Sequence, residues 1–543
     1  MRLSTRLLSN AATTYLRLGS TFVLGLFTTW YVLGAIGVLG FGLIALAVSS
    51  TGVTHALELA LRFGLVRELA AAISSAKPAT LRRSVTAAFR LCRQATLPLA
   101  AVVLVLAAAA WNGLFNTPQD RPELKLALAV LILGEGIHAA ARLMSAPFLQ
   151  SLFAAQHVWL DNLLMVVARA SHALSAVIVF GWILPDRSLE VQLVGFALSR
   201  ATIQLVDVAL GVWLAKRLLP DLVLEATFDE TEYRAVRSTV WHSSQVEMLL
   251  NLNPQFLAIL INLFFGLTYN GIWQIVVQFS GYARMFAEGL LRGLAPLVTH
   301  LEETGRKQAV MNLMARSVRY QFAIALPAAI LLGLYVRPLL ELWVGRRLAG
   351  DPHLAAAGVS VDEALGLAAA MVVIMLVIRT LRAGFYGIES VLYGMGKVRS
   401  YAWFSKWSTV LTLGAGAALM AWSHQPLAAP VALLIASVPF SPGVILLAAR
   451  DQVGLHVTAT LRRSLPRPLL ANAVFLALLA LARPCGEGLT LVGFGTLLIA
   501  STLLYAALAL LVVFEADERQ RLAQIGRRAL GAIRSRLLPR RPR

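Results

Sequence analysis

Apolar runs of bilayer-spanning length recur along the whole chain, and no other feature limits its folding so strongly. A helix rises 1.5 Å per residue, so crossing about 30 Å of hydrocarbon takes about 20 apolar residues. About fourteen such runs can be marked: 11–34, 37–61, 94–112, 124–146, 157–183, 191–214, 240–266, 270–298, 320–342, 364–392, 402–422, 427–449, 468–483 and 488–514. Hydrocarbon offers backbone N–H and C=O groups no partner, so these runs imply an all-α integral membrane protein. The composition agrees, with 58% hydrophobic and 14% charged residues against about 25% charged in soluble domains. A soluble enzyme is excluded. The run at 11–34 reads as a retained helix rather than a cleaved signal peptide, because it is long, keeps Tyr15 and Arg17, and lacks a small-residue cleavage site.

The net charge of +20 belongs at a membrane surface, since the polar stretches are too short to build a nucleic-acid groove. Lys and Arg stay on the cytoplasmic side. They gather at Arg62–Arg93, Lys216–Arg237, Arg306–Arg319, Lys397–Arg399 and Arg462–Arg467, while 34–37, 266–270 and 422–427 have none. Arg346 and Arg347 in the outer loop 343–363 are an exception. This alternation puts a multi-pass protein in the inner (plasma) membrane with both termini cytoplasmic. Cys92 and Cys485 are the only cysteines and fall on opposite faces, so no disulfide or thiolate metal site is expected. Neither HExxH nor CxxC occurs, and no metal or cofactor is expected. The absence of GxxxxGK[ST] removes ATP and makes any transport secondary.

The chain also repeats itself. An offset of 229 residues carries Gly42 onto Gly271, Gly52 onto Gly281, Gly64 onto Gly293, Arg90 onto Arg319 and Leu97-Pro98 onto Leu326-Pro327 without a gap. Six helices separate the two blocks, an even number, so the halves share one orientation and a parallel pseudo-two-fold axis along the membrane normal is expected. The organisation that follows is a six-helix bundle at 1–217, a cytoplasmic linker at 218–237, a second bundle at 238–450, two extra helices at 451–514 and a basic cytoplasmic tail at 515–543. In the tail Leu522, Ile525, Leu530, Ile533 and Leu537 recur at helical spacing among arginines, the pattern of an amphipathic helix on an anionic leaflet.

The runs LGAIGVLGFGLIALAVSSTGVTHALELALRFGLVRE (33–68), FAEGLLRGLAPLVTHLEETGRK (from Phe286), LELWVG (340–345) and YGMGKVRSYAW (393–403) resemble the multidrug/oligosaccharidyl-lipid/polysaccharide (MOP) superfamily, and within it the Wzx-type polysaccharide flippases. The resemblance covers residues 10 to about 450. It implies a flippase that turns a polyprenyl-pyrophosphate-linked oligosaccharide from the cytoplasmic to the outer leaflet by alternating access. Polysaccharide polymerase machinery would be its downstream partner. The two additional C-terminal helices look more like the lipid II flippase branch, where such a pair shapes a groove for the lipid tail. Lipid II flipping and multidrug antiport are the alternatives the resemblance leaves open.

Ionisable side chains in hydrocarbon cost about 2.5–3.5 kcal/mol each and so face a wet cavity or a partner. Helix 4 carries Glu135, His138 and Arg142 on one face, helix 5 Arg169 and His172, helix 6 Arg200, Gln204 and Asp207, and helix 10 Arg379 and Arg382. Arginines grip phosphate bidentately, so Arg17, Arg142, Arg169 and Arg379 are the expected cavity residues for a pyrophosphate. Arg17 leads because the superfamily's first helix often carries a cation there. For a coupling proton or sodium ion, Glu135 with His138 at i+3 is first choice, with Asp207 and Glu58 in reserve. The competing reading makes Glu135 a structural partner of Arg142 or Arg169. A polymerase or ligase on the same lipid carrier would need a sizeable outer loop, and 343–363 is small; the expectation is a transporter, not an enzyme.

Overall fold

The computed structural model describes residues 3–75, 77–225, 229–289, 307–395, 399–482, 490–520 and 524, and these contain helices and no strand. The first group comprises α1 (Leu3–Ser50), α2 (Gly52–Ser74), α3 (Pro78–Trp111), α4 (Glu123–Ala154), α5 (Val158–Ile178) and α6 (Leu189–Leu218). The second comprises α7 (Glu230–Phe265), α8 (Leu267–Gly289), α9 (Lys307–Leu334), the short α10 (Val336–Leu340), α11 (Arg346–Ala349) and α12 (Pro352–Ala356), then α13 (Val361–Gly394), α14 (Arg399–Ser423), α15 (Ala428–Val438) and α16 (Val444–Val453). The short α17 (Val457–Ser464) leads into α18 (Pro466–Ala482) and α19 (Leu491–Leu508). Within the first group α4 packs on α3, α6 and α2, and α5 on α1 and α6; within the second α13 packs on α9 and α8, and α14 on α7 and α15. The last pair joins through α18 on α9. Lipid would meet side chains such as Leu97, Leu104 and Val105 on α3, which are 61–70% exposed.

Nine helices among the described residues are long and apolar enough to cross a bilayer. The sequence count of about fourteen is higher partly because Thr13–Ser50 is a single span in this reckoning, although Gly37 breaks it (φ 68°, ψ 179°). Two other apolar helices, Leu252–Phe265 and Ala428–Val438, are short. Several helices also outrun their apolar stretches on the face that carries the basic residues. Arg82, Arg83, Arg90 and Arg93 belong to α3 itself rather than to a loop. Likewise α7 starts at Glu230, inside the expected linker 218–237, because Asp229 caps it by accepting from the Thr231 and Glu232 N–H groups. The second copy of the repeat from 290 to 306 and the amphipathic tail from 525 onward lie outside the described residues.

The break at Gly37 has a counterpart 229 residues on. Gly266 separates α7 from α8 with φ 83° and ψ −171°, and both glycines occupy a region of φ/ψ space that a Cβ closes to other residues. At these turns the two helix groups touch backbone to backbone. A Cβ on Gly42 would lie 2.2 Å from the Leu267 carbonyl oxygen, and a Cβ on Gly271 would lie 2.6 Å from that of Val38. Each contact maps onto the other when both residues are shifted by 229. From this point two antiparallel seams descend. In one, Gly52 packs against Gln255 and Gly64 against the backbone of Val240. In the other, Gly25 packs against the Tyr282 hydroxyl, Thr29 donates to Gln278 Oε1 at 2.6 Å, and Gln278 donates back to the Gly25 carbonyl at 2.9 Å. The shift carries the Gly25/Tyr282 contact to positions 254 and 53, one residue from the observed Gln255/Gly52 contact.

The segment 343–363 is a clasp over this junction rather than a plain outer loop. Asp351, 6% exposed, accepts from the Val38 N–H at the start of the helix after Gly37 and from the His353 N–H at 2.8 Å. The Arg347 guanidinium stacks on Trp30 at 4.0 Å, with Gly34 leaving room for it. Trp343 Nε1 donates to the Leu26 carbonyl at 3.0 Å. Burial pushes the His353 imidazole below its usual pKa, against the opposing pull of the Asp351 carboxylate.

These contacts distinguish glycines of equal sequence weight. Gly42→Ala should lower stability by about 1–3 kcal/mol, because its methyl group meets backbone that cannot yield. Gly281→Ala, where a Cβ has nothing within 4 Å, should be neutral or slightly stabilising. Thermal unfolding of the two proteins in detergent checks the contrast.

Candidate functional site

Buried charge gathers in the first helix group, at one depth. Glu135 and Arg200 lie 12 and 11 residues from the starts of α4 and α6, which at 1.5 Å per residue is about 17 Å below the face opposite the basic one. Glu135 Oε1 meets Arg200 Nη1 at 2.7 Å, with the two side chains 3% and 13% exposed. His138 follows one turn along α4 and is also buried. On α5, His172 packs edge-on against Phe196 with ring centroids 5.7 Å apart and lies within electrostatic reach of Arg200, Arg169, Glu135 and His138. Arg169 in turn lies within reach of Arg200 and of Tyr282 on α8. The island therefore extends to the seam between the two helix groups.

Arg17 joins it from α1. Its Nη1 donates to the Met165 sulfur at 2.7 Å, and Met165 is one turn from Arg169 on α5. Asn162 Nδ2 ties the same two helices by donating to the Thr13 and Thr14 hydroxyls, both at 3.2 Å. Among the described residues, Glu135 is the carboxylate that engages Arg200, while Arg169 lies within electrostatic reach of that arginine.

The remaining expected residues are elsewhere. Arg142, two turns below Glu135, pairs through Nε with Glu58 Oε1 at 2.8 Å and so staples α4 to α2. Asp207 on α6 lies within electrostatic reach of this arginine. Neither Arg142 nor Arg169 is the ion-pair partner of Glu135; Arg200 is. Arg379 lines a cavity of about 50 Å³ within the second group, with Arg382, Asn253, Tyr401, Ser405 and Ser408, and among the described residues none of α1–α6 borders it. The structure thus brings Arg17, Arg169, Glu135 and His138 together, and leaves Arg142 with Glu58 and Arg379 apart. Arg200 and Tyr282 were missed as members of the site. For Arg200 the signal was present, since its distance from the start of its helix is within one residue of that of Glu135. Among the described residues no group of three His, Cys, Asp or Glu could hold a metal ion.

No family model matches the chain. One curated relative, an uncharacterized membrane protein EpsK of Bacillus subtilis (strain 168), is 27% identical over 219 residues, which are 40% of this chain and 41% of that protein. The matched segment therefore spans less than half the length of the relative. Solved structures match along most of the chain. The lipid II flippase MurJ in an inward closed conformation superposes with a TM-score of 0.58, covering 91% of this chain and 97% of MurJ at 10% identity. An inward-facing multidrug resistance MATE family transporter of the MOP superfamily gives 0.54, with 83% and 95% covered at 15% identity. The Vibrio cholerae MATE transporter VcmN gives 0.54, with 82% and 99% covered at 13% identity. The chain shares the fold of these three transporters. The apolar helices among the described residues, nine of them long enough to cross a bilayer, make it a multi-pass membrane protein.

The Glu135–Arg200 pair should respond to mutation as buried ion pairs do. Glu135→Gln alone strands a buried guanidinium and should cost about 3–5 kcal/mol, whereas Glu135→Gln with Arg200→Gln should recover most of the loss. Unfolding midpoints of the two single variants and the double variant close the cycle.

Proposed function

We propose that the protein is a secondary transporter, a flippase that moves a polyprenyl-pyrophosphate-linked oligosaccharide from the inner to the outer leaflet of the plasma membrane for polysaccharide assembly. The observation that carries this reading is the closeness of two arginines, Arg169 and Arg200, within electrostatic reach of each other, with Glu135 engaging Arg200 among the described residues. A diphosphate supplies negative charge and accepts the paired N–H groups of guanidinium. A lipophilic drug cation would enter against these two arginines, which weighs against multidrug antiport.

In this reading residues 1–217 and 238–450 are two bundles related by a parallel pseudo-two-fold axis, with 451–514 adding two helices and giving fourteen spans in all. The matched glycine breaks at Gly37 and Gly266 and the reciprocal contacts at Gly42 and Gly271 support it. Both termini and the basic face are cytoplasmic by the distribution of Lys and Arg. The clasp at Asp351 and the two seams then close the outer side. Substrate phosphate competes with Glu135 for Arg200, and the released carboxylate, beside His138, takes up the coupling proton or sodium ion. Glu58 and Asp207, gathered around Arg142, serve the staple between α2, α4 and α6 instead. Export is drawn forward by the polymerase machinery that consumes the flipped oligosaccharide.

Lipid II is the second reading. It is favoured by the pair α18 and α19, which pack through Phe475 and Tyr505 with centroids 5.1 Å apart and dock on α9, and by the fit to the MurJ fold. Proteoliposomes offered either a fluorescent polyprenyl-pyrophosphoryl oligosaccharide or lipid II separate the two by which lipid reaches the far leaflet. Arg169→Gln should slow flipping by about 10- to 100-fold at equal folded protein, the worth of a charge-assisted phosphate contact. Arg169→Lys should recover part of it. Undiminished flipping by Arg169→Gln, with lipophilic cations transported as well, would overturn the proposal.

A further inference from the structure

A second cationic site lies far from this island, on the basic face where the last two helices meet α9. Gln308, Asn312, Arg316 and Arg319 recur along one side of α9. The short amphipathic α17 brings Arg463 opposite them and is fastened by the Ser464 hydroxyl, which donates to the Ala315 carbonyl at 2.8 Å. Beyond α19 the chain turns at Phe514, whose ring packs on Tyr320 at 5.7 Å, and returns Glu515 and Glu518 to α9. Together these segments enclose a polar pocket of about 280 Å³. By liquid volume that is roughly nine waters, more than the few that bridging neighbouring polar groups would take.

The carboxylates of the pocket are already engaged. Glu515 Oε1 accepts from Arg319 Nη1 at 2.7 Å and from Arg467 Nη1 at 3.3 Å. Glu518 accepts from Arg319 Nη2 and from the Tyr320 hydroxyl. Burial pushes the Glu518 carboxyl up, but the Tyr320 hydrogen bond, the Glu515 N–H and the charges of Arg319 and, more weakly, Arg316 outweigh it and hold its pKa below the usual value. Arg316 and Arg463 line the same pocket with exposed side chains, and among the described residues neither is in an ion pair. Four arginines against two glutamates leave the cluster two positive charges in excess. It sits where α18 leaves its polar start at Arg467 for an apolar run and α19 ends, at the level of a lipid headgroup.

We propose that this pocket binds the phosphate of an anionic lipid headgroup, held by Arg316 and Arg463 with Asn312 and Gln308 donating to its oxygens, and that the bound lipid fastens α18 and α19 to the rest of the protein. The position at a helix–membrane junction selects a lipid phosphate over a soluble one. Bulk anionic phospholipid and a polyprenyl pyrophosphate share this chemistry. The site does not depend on the island at Arg169 and Arg200 or on the transport reading built on it.

The full chain in phosphatidylcholine nanodiscs, titrated with short-chain phosphatidylglycerol and followed by native mass spectrometry, tests the site. Arg316→Gln/Arg463→Gln should weaken binding by at least about 10-fold, since each basic residue at the surface is worth about 1 kcal/mol. Asn312→Asp, which adds a negative charge inside the pocket, should weaken it as well. Arg462→Gln, one residue away on α17 but outside the lining, should bind as the unaltered protein does. Displacement of phosphatidylglycerol by a short polyprenyl pyrophosphate would identify the carrier lipid as an occupant, and its failure would leave bulk phospholipid; both uphold the site. Equal phosphatidylglycerol affinity in the unaltered protein, the double variant and Asn312→Asp would overturn it.

Discussion

The two helix groups meet backbone against backbone where the helices that follow Gly37 and Gly266 cross at Gly42 and Gly271. Only glycine allows two helices to come so near, and membrane helices depend on such contacts because lipid gives apolar side chains no incentive to cluster. The seams on either side descend from this crossing. One carries glycines against Gln255 and Val240, the other glycine and threonine against Tyr282 and Gln278. Apolar side chains of both groups fill in around these contacts, with Leu33, Ile36 and Leu43 in one buried cluster with Leu257, Ile261 and Trp273, and Leu61 and Leu65 in another with Val240.

The charged island occupies the wall of the first group just behind the second seam. Tyr282 links the two features, packing on Gly25 and Phe22 of α1 while lying within electrostatic reach of Arg169. Any change in angle between the helix groups therefore alters the surroundings of Arg169. Arg200 is already committed to Glu135, and such buried pairs are costly to break from one side only. In the proposed flippase an incoming diphosphate would meet that cost by replacing the carboxylate with another anion. The clasp at Asp351 works on the same junction from the other end, capping the helix that carries Gly42.

Much of this was legible in the sequence, and the exceptions have physical causes. The apolar runs 364–392, 402–422 and 468–483 marked their helices within a few residues at both ends, and Pro98 and Pro327 fall inside helices as the Leu-Pro match implies. The helical extensions into the basic face escaped, because beyond the bilayer polar residues continue a helix without an apolar signal. The partner of Glu135 was sought in Arg142 on its own helix or Arg169 on helix 5, yet Arg142 is seven residues away, about 10 Å, and similar depth on α6 picks out Arg200. Nothing local could have joined Asp351 to Val38, which are 313 residues apart in the chain. Nor does any motif announce the pocket at Arg316 and Arg463, since it is assembled from three separate segments that each read as ordinary basic loops.

The central claim is that substrate passes between the two helix groups, so the seam through Thr29 and Gln278 must open in each cycle. The most direct measurement is flipping by a protein carrying Thr29→Cys and Gln278→Cys, in a background with Cys92 and Cys485 replaced by serine, before and after joining the pair with a short, reducible thiol crosslinker. The account predicts that the joined protein binds lipid-linked oligosaccharide but does not flip it, and that reduction restores the rate. Full-rate flipping by protein shown to be quantitatively crosslinked would contradict it.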